Sequence, residues 1–204
     1  MNHATQSCFQ KTCARVGING IVTASVWEKL VGRYSESHRH YHNLTHLDRM
    51  LCHMACVAPD DGTIELAIWF HDAIYDPLAR DNEARSADLF AECFGTLVSP
   101  LLAQKVPQLI LATDPKRPRS ADPDENLLVD IDLSILGSSP EEYEQYRTDI
   151  RKEYAIVPEP DFNKGRISVL ENFLHHPIFA TKEFTNLEAR ARMNIRREIE
   201  LLRF

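Results

Sequence analysis

An adjacent histidine and aspartate, His71 and Asp72, stand inside the otherwise apolar run IWFHDAIY. Two further acids, Asp130 and Asp132, interrupt a second apolar run, LLVDIDLSIL, and upstream the segment RHYHNLTH ends on His46. Burying an ionised carboxylate costs several kcal/mol unless it is paired or bound to a metal. Two apolar segments with inward-capable acids therefore suggest a cation between them. Imidazole nitrogen with carboxylate oxygen is an ordinary ligand set for zinc, manganese or iron. The alternatives are plainer. The His-Asp pair could lie on the surface or at a helix end, Asp130 could cap a helix, and Asp132 could pair with Arg151 or Arg166.

The elements that must position these residues read as helices. Val26, Trp27, Leu30, Val31 and Tyr34 recur at helical spacing, as do Leu44, Leu47, Met50, Leu51 and Met54, with Asn43 or Thr45 to cap the latter. The segment Ile64 to Tyr75 predicts a mostly buried helix that carries the His71-Asp72 pair and stops before Pro77. Further helices are expected over Asn82–Leu97, over Leu101–Ala112 with a kink at Pro107, over Ser139–Tyr154 from the signature SSPEE, over Asn163–His175 and over Asn186–Leu202. Between them, Asp114 to Glu125 is proline-rich and charged and predicts a long loop. No alternating strand pattern and no internal repeat is visible. The expected class is all-α, with about eight to ten helices.

The bulk properties agree. At 204 residues, 44% hydrophobic and 26% charged, the chain suits one folded domain. Five cysteines, an odd and sparse set, predict reduced thiols, and neither a leader nor a membrane-spanning stretch is expected, which reads as a cytoplasmic protein. The net charge of −7 argues against a nucleic-acid polymer as partner. A small phosphorylated ligand remains compatible, because a bound metal outweighs the overall field locally.

The order His46, His71-Asp72, Asp132 resembles the H…HD…D pattern of the HD superfamily of metal-dependent phosphohydrolases. The blocks RHYHNLTHLDRML, AIWFHDAIYDP, DNEARSA, LILATD, LLVDIDLSILG, EEYEQYRTDIRKEY and FLHHPIFATKEFTNLEARARMNIRREI resemble, in order, a bacterial branch of predicted phosphohydrolases of that superfamily, from about Trp27 to the C-terminus. The resemblance implies a compact HD-like helical bundle spanning residues 1–204 as one domain. Its core would lie over about 27–137, with C-terminal helices 139–204 packed on it. It also implies metal ligands at His46, His71, Asp72 and Asp132, with Asp132 preferred to Asp130 because it directly precedes the leucine-containing turn. Two departures stand out. The interval Ala73 to Ile131 holds no histidine, so one divalent metal (Mn, Co, Ni, Fe, Zn or Mg) is expected rather than two. Where related enzymes carry a Glu-Asp pair, this chain has Tyr75-Asp76.

The activity expected from that resemblance is hydrolysis of a small phosphate ester, with nucleotides as the leading class. Asp76, one helical turn beyond Asp72 if the helix continues, is the first candidate for proton transfer, and Glu83 is the second. Arg39, His42 and Arg85 are the candidate phosphate partners, and Lys116, Arg117 and Arg119 could form a lid. The alternative is a catalytically silent HD-like domain that binds a nucleotide or a partner protein. A homo-oligomer is compatible with either.

Overall fold

The computed structural model describes residues 3–58 and 61–203. Among them are ten α-helices and two short 3-10 turns, with no strand, so the chain is all-α. It divides into two compact units, Met1–Leu128 and Val129–Phe204.

The first unit is built on α4 (Gly62–Phe70), in which every residue but Thr63 is buried. A helix that is apolar on all sides must be covered on all sides. Three of the elements that cover it were expected as helices: α3 (Leu44–Val57), α5 (Asn82–Phe94) and α6 (Pro100–Ala112). The fourth is α1 (His3–Arg15), which no apolar periodicity announced. Phe9 and Cys13 are fully buried on it, and Phe9 meets Trp69 edge-on at 5.3 Å and Trp27 of α2 (Ile21–Tyr34) at 5.7 Å. Thr12 accepts the Trp69 indole N–H at 3.2 Å and donates to Glu65 at 2.7 Å, and Arg15 completes the satisfaction of that buried carboxylate at 2.5 Å. The first unit therefore begins well ahead of Trp27.

Local signals set several boundaries. Asn43 caps α3 through the Thr45 amide, and Asp61 caps α4 through Thr63 and Ile64. Helix α6 runs unbroken through Pro107. The loop after it is shorter than expected: α7 (Pro123–Leu133) starts where Asp122 accepts the amides of Asp124 and Glu125.

In the second unit, α7 passes into a 3-10 turn, Ser134–Gly137. Helix α8 (Pro140–Glu153) opens on a capping box between Ser139 and Glu142. Helix α9 (Glu159–His175) starts four residues earlier than expected, with a proline and acids in its first turn. Helix α10 (Glu188–Leu202) packs against α9 and the 3-10 turn. Gly137 permits that approach: a Cβ there would stand 2.6 Å from Leu187 Cβ. Among the described residues no helix is long and apolar enough to cross a membrane.

Candidate metal centre

Helix α4 ends at Phe70, five residues before the expected Tyr75, so the His71-Asp72 pair lies at the helix end rather than inside it. The reason lies in side chains from distant segments. They take the main-chain groups that a continuing helix would have paired. Arg39 donates to the carbonyls of Asp72 at 2.6 Å and Ala73 at 3.1 Å. Ser86 Oγ accepts the Ile74 amide at 3.0 Å and donates to its carbonyl at 3.3 Å. His38 Nε2 donates to the Tyr75 carbonyl at 3.0 Å. Asn82 accepts the Asp76 amide at 3.1 Å and donates to the Asp76 carbonyl at 2.9 Å. Each carbonyl from Asp72 to Asp76 thus has a side-chain partner, which meets the requirement that buried backbone groups be paired.

This ending brings three expected ligands together. His71 Nδ1 lies 2.9 Å from the Ile68 carbonyl; a carbonyl only accepts, so Nδ1 carries the proton and Nε2 presents a lone pair in the neutral ring. His71 Nε2 then faces His46 Nε2 at 3.3 Å and Asp72 Oδ2 at 3.1 Å, while His46 Nε2 and Asp72 Oδ2 stand 3.9 Å apart. Donor atoms bound to one metal at about 2.0–2.2 Å sit roughly 3.0–3.5 Å from each other. Two sides of the triangle, at 3.1 and 3.3 Å, match that spacing, and the third, at 3.9 Å, is somewhat longer. His46 and His71 are buried, and the Asp72 side chain keeps 15% exposure. Burial alone would raise the Asp72 carboxyl. The facing imidazoles of His71, His42 and His46 outweigh it and hold the group below the usual carboxylate range. The residues present therefore fit a divalent cation: nitrogen and oxygen donors, separations at or near those of ligands on one metal, and a second hydrogen bond that orients one imidazole.

The other candidates divide. His42 reaches the centre: its ring packs 4.2 Å from Tyr75 and 5.9 Å from His46. Glu83, in the first turn of α5, is half-buried. Burial, then the charges of Asp114 and Asp72, push its carboxyl above the ordinary value. Asp76 departs from expectation. With α4 ended, it is not one turn beyond Asp72. It is exposed, and its Oδ1 accepts the Leu78 amide at 2.9 Å, shaping the turn at Pro77. Arg39 departs as well. Four of its five N–H groups are committed, to Glu36, His42 O, Asp72 O and Ala73 O. Arg85 is exposed, with Asp81 Oδ1 3.9 Å from its Nη1.

The two aspartates of α7 are described within the second unit. Asp130 is fully buried and accounted for: its carboxylate accepts the amides of Ala180 at 3.0 Å and Thr181 at 2.7 Å, and the Thr181 hydroxyl at 2.7 Å. It fastens the segment after α9, a variant of the capping role open to it from sequence. Asp132 is half-buried, and its charge is one of those that raise the Tyr146 hydroxyl after burial and alongside Glu198. Sequence reasoning missed Ser86, Asn82 and His38 as supports; Ser86 and Asn82 fall in the block DNEARSA, whose polar residues at a helix start were the available signal. Comparisons with protein-family models, curated proteins and solved structures find no match for this chain.

Proposed function

We propose that the chain is a metal-dependent phosphohydrolase acting on a small phosphate ester, with nucleotides as the first substrate class to test. The observation that carries this reading is the convergence of His46 Nε2, His71 Nε2 and Asp72 Oδ2 within 3.1–3.9 Å. Asp132 enters the ligand set on the H…HD…D order. The engagement of Asp130 with the Ala180 and Thr181 amides favours it over its neighbour. One divalent metal would be held there, and bound it would lower the pKa of a water and polarise a phosphoryl oxygen. Glu83, with its raised carboxyl, is the first candidate to take and return the proton. His42, whose ring packs against Tyr75 and lies 5.9 Å from that of His46, is the first candidate to meet a substrate oxygen.

The deciding experiment is a screen of purified protein against nucleoside mono-, di- and triphosphates, cyclic nucleotides and general phosphatase substrates. Manganese, cobalt, nickel and magnesium are supplied in turn, and bound metal is measured by elemental analysis. Metal-dependent release of phosphate, lost in His71→Ala, is the expected result. Metal-free protein that stays inactive with every metal would sink the hydrolase and favour a silent binding domain.

A further inference from the structure

Arg39 is a buried cation beside a proposed cation site, which is an unusual place for a positive charge. Its side chain has no exposed surface, and its Cζ lies 5.1 Å from the Tyr34 ring centroid and 5.5 Å from that of Tyr75. Glu36 Oε2 accepts from its Nε at 3.0 Å and balances the charge. Such saturation is what a buried guanidinium requires. The remaining contacts are more telling. Nη1 donates to the carbonyls of both His42, at 3.2 Å, and Asp72, at 2.6 Å, and Nη2 donates to that of Ala73, at 3.1 Å. One planar fork thus ties two stretches of chain. The first leads into α3, where His46 lies on the first turn; the second is the main chain of Asp72 itself.

We infer that Arg39 is the positioning residue of this centre. It fixes the Asp72 backbone against the segment leading to His46, so that donor atoms from separate stretches of sequence converge before any ligand arrives. The inference rests on the metal-centre reading. A guanidinium suits this bracing role, because its N–H groups diverge at fixed angles and span three carbonyls in one plane. The lysine ammonium is a single flexible point that cannot span them. A phosphate-binding arginine would instead keep its fork open toward the ligand.

The experiment titrates metal-free wild type and Arg39→Lys with Mn2+ and Ni2+ by calorimetry. Circular dichroism and thermal melts of the metal-free proteins run alongside. Glu65→Gln, which weakens a buried ion pair elsewhere in the same unit, serves as the control for general destabilisation. Loss of an outer-shell partner weakens metal binding by about 10- to 100-fold, and that loss is expected for Arg39→Lys but not for Glu65→Gln. A folded Arg39→Lys protein with wild-type affinity overturns the inference and leaves the metal centre standing; a raised KM at unchanged metal affinity would return Arg39 to the substrate. Equal weakening in Glu65→Gln would also overturn it. A wild type that takes up neither metal removes the metal reading and this inference with it. If Arg39→Lys does not fold, Glu36→Ala, which removes the Nε acceptor at a part-exposed position together with an exposed contact to Arg33, is read in the same way, with Arg33→Ala as its control: weakened affinity in Glu36→Ala alone supports the assignment and unchanged affinity overturns it.

Discussion

At the scale of single residues, the proposed site separates groups that would hold the metal centre from groups that would react. Asp76 and Glu83 show the difference. The Asp76 carboxylate is used by the Leu78 amide, and an asparagine oxygen can accept that bond equally well. Asp76→Asn should therefore leave turnover within a few-fold of wild type, checked by steady-state rates at saturating metal; a loss on the order of 100-fold would put Asp76 back in the chemistry. Glu83→Gln should lose at least that much. Its raised carboxyl also predicts a pH signature. As a base, Glu83 must be ionised, so the acid limb of the wild-type rate profile should lie above the ordinary carboxylate value and vanish in the variant. The stability effect has the opposite sense. A carboxyl with a raised folded-state pKa favours folding below its unfolded value, and that contribution is lost as pH rises through the folded one. At neutral pH ionised Glu83 is a burden on the fold, and metal-free Glu83→Gln should melt higher than wild type at pH 7 but not at pH 4. An enzyme site that stores instability in its acid would behave this way.

Helices are where sequence and structure can be compared most directly. The amphipathic segments were legible: the start of α3, capped by Asn43, and that of α8, capped by Ser139, lie where the polar cap meets the apolar stripe. Helix α1 was not, because its inward face mixes Phe9 and Cys13 with Thr5 and Thr12, and threonine hides an apolar stripe until its partner is known. That partner is Glu65, 53 residues from Thr12. The end of α4 was illegible for a related reason. The run to Tyr75 is locally helical, and what stops it arrives from Arg39, Asn82 and Ser86. The ligand types and their order were readable, whereas the supports that aim them were not. Asn82→Ala tests the supports. It removes both bonds to the Asp76 backbone and should cost about 1–3 kcal/mol in chemical denaturation, with weakened metal binding by calorimetry. Ser139→Ala removes one half of a capping box and should cost about 1 kcal/mol with metal affinity unchanged. If both variants bind metal like wild type, the loop after His71 does not depend on its Asn82 tether.

Across the whole molecule, each unit has its own buried ionic network, and neither is a duplicate of the other. The first unit encloses Glu65 with Thr12 and Arg15. The second encloses Glu198, which accepts from the Tyr143 hydroxyl at 2.6 Å and from Arg166 Nε at 2.8 Å, while Arg166 Nη2 reaches the Tyr146 hydroxyl at 3.1 Å. Burial, then the adjacent Glu198 charge, pushes the Tyr143 hydroxyl well above its usual range. The consequence is a linkage at alkaline pH. An unfolded tyrosine loses its proton near pH 10, while folded Tyr143 keeps it, so the stability tied to that proton is fully present below about pH 10 and drains away as pH rises further. Tyr143→Phe should flatten the fall of unfolding free energy above pH 10. At neutral pH it should cost about 1.5–3 kcal/mol for the lost bond to a charged acceptor. Arg166 still pairs with Glu198 in that variant, so the buried charge is not orphaned and the fold should survive the change. Urea unfolding of metal-free protein at a series of pH values measures both effects. A variant with the wild-type alkaline slope would show that Tyr143 already shares its proton with solvent in the folded state, against the burial of its ring and the short bond to Glu198.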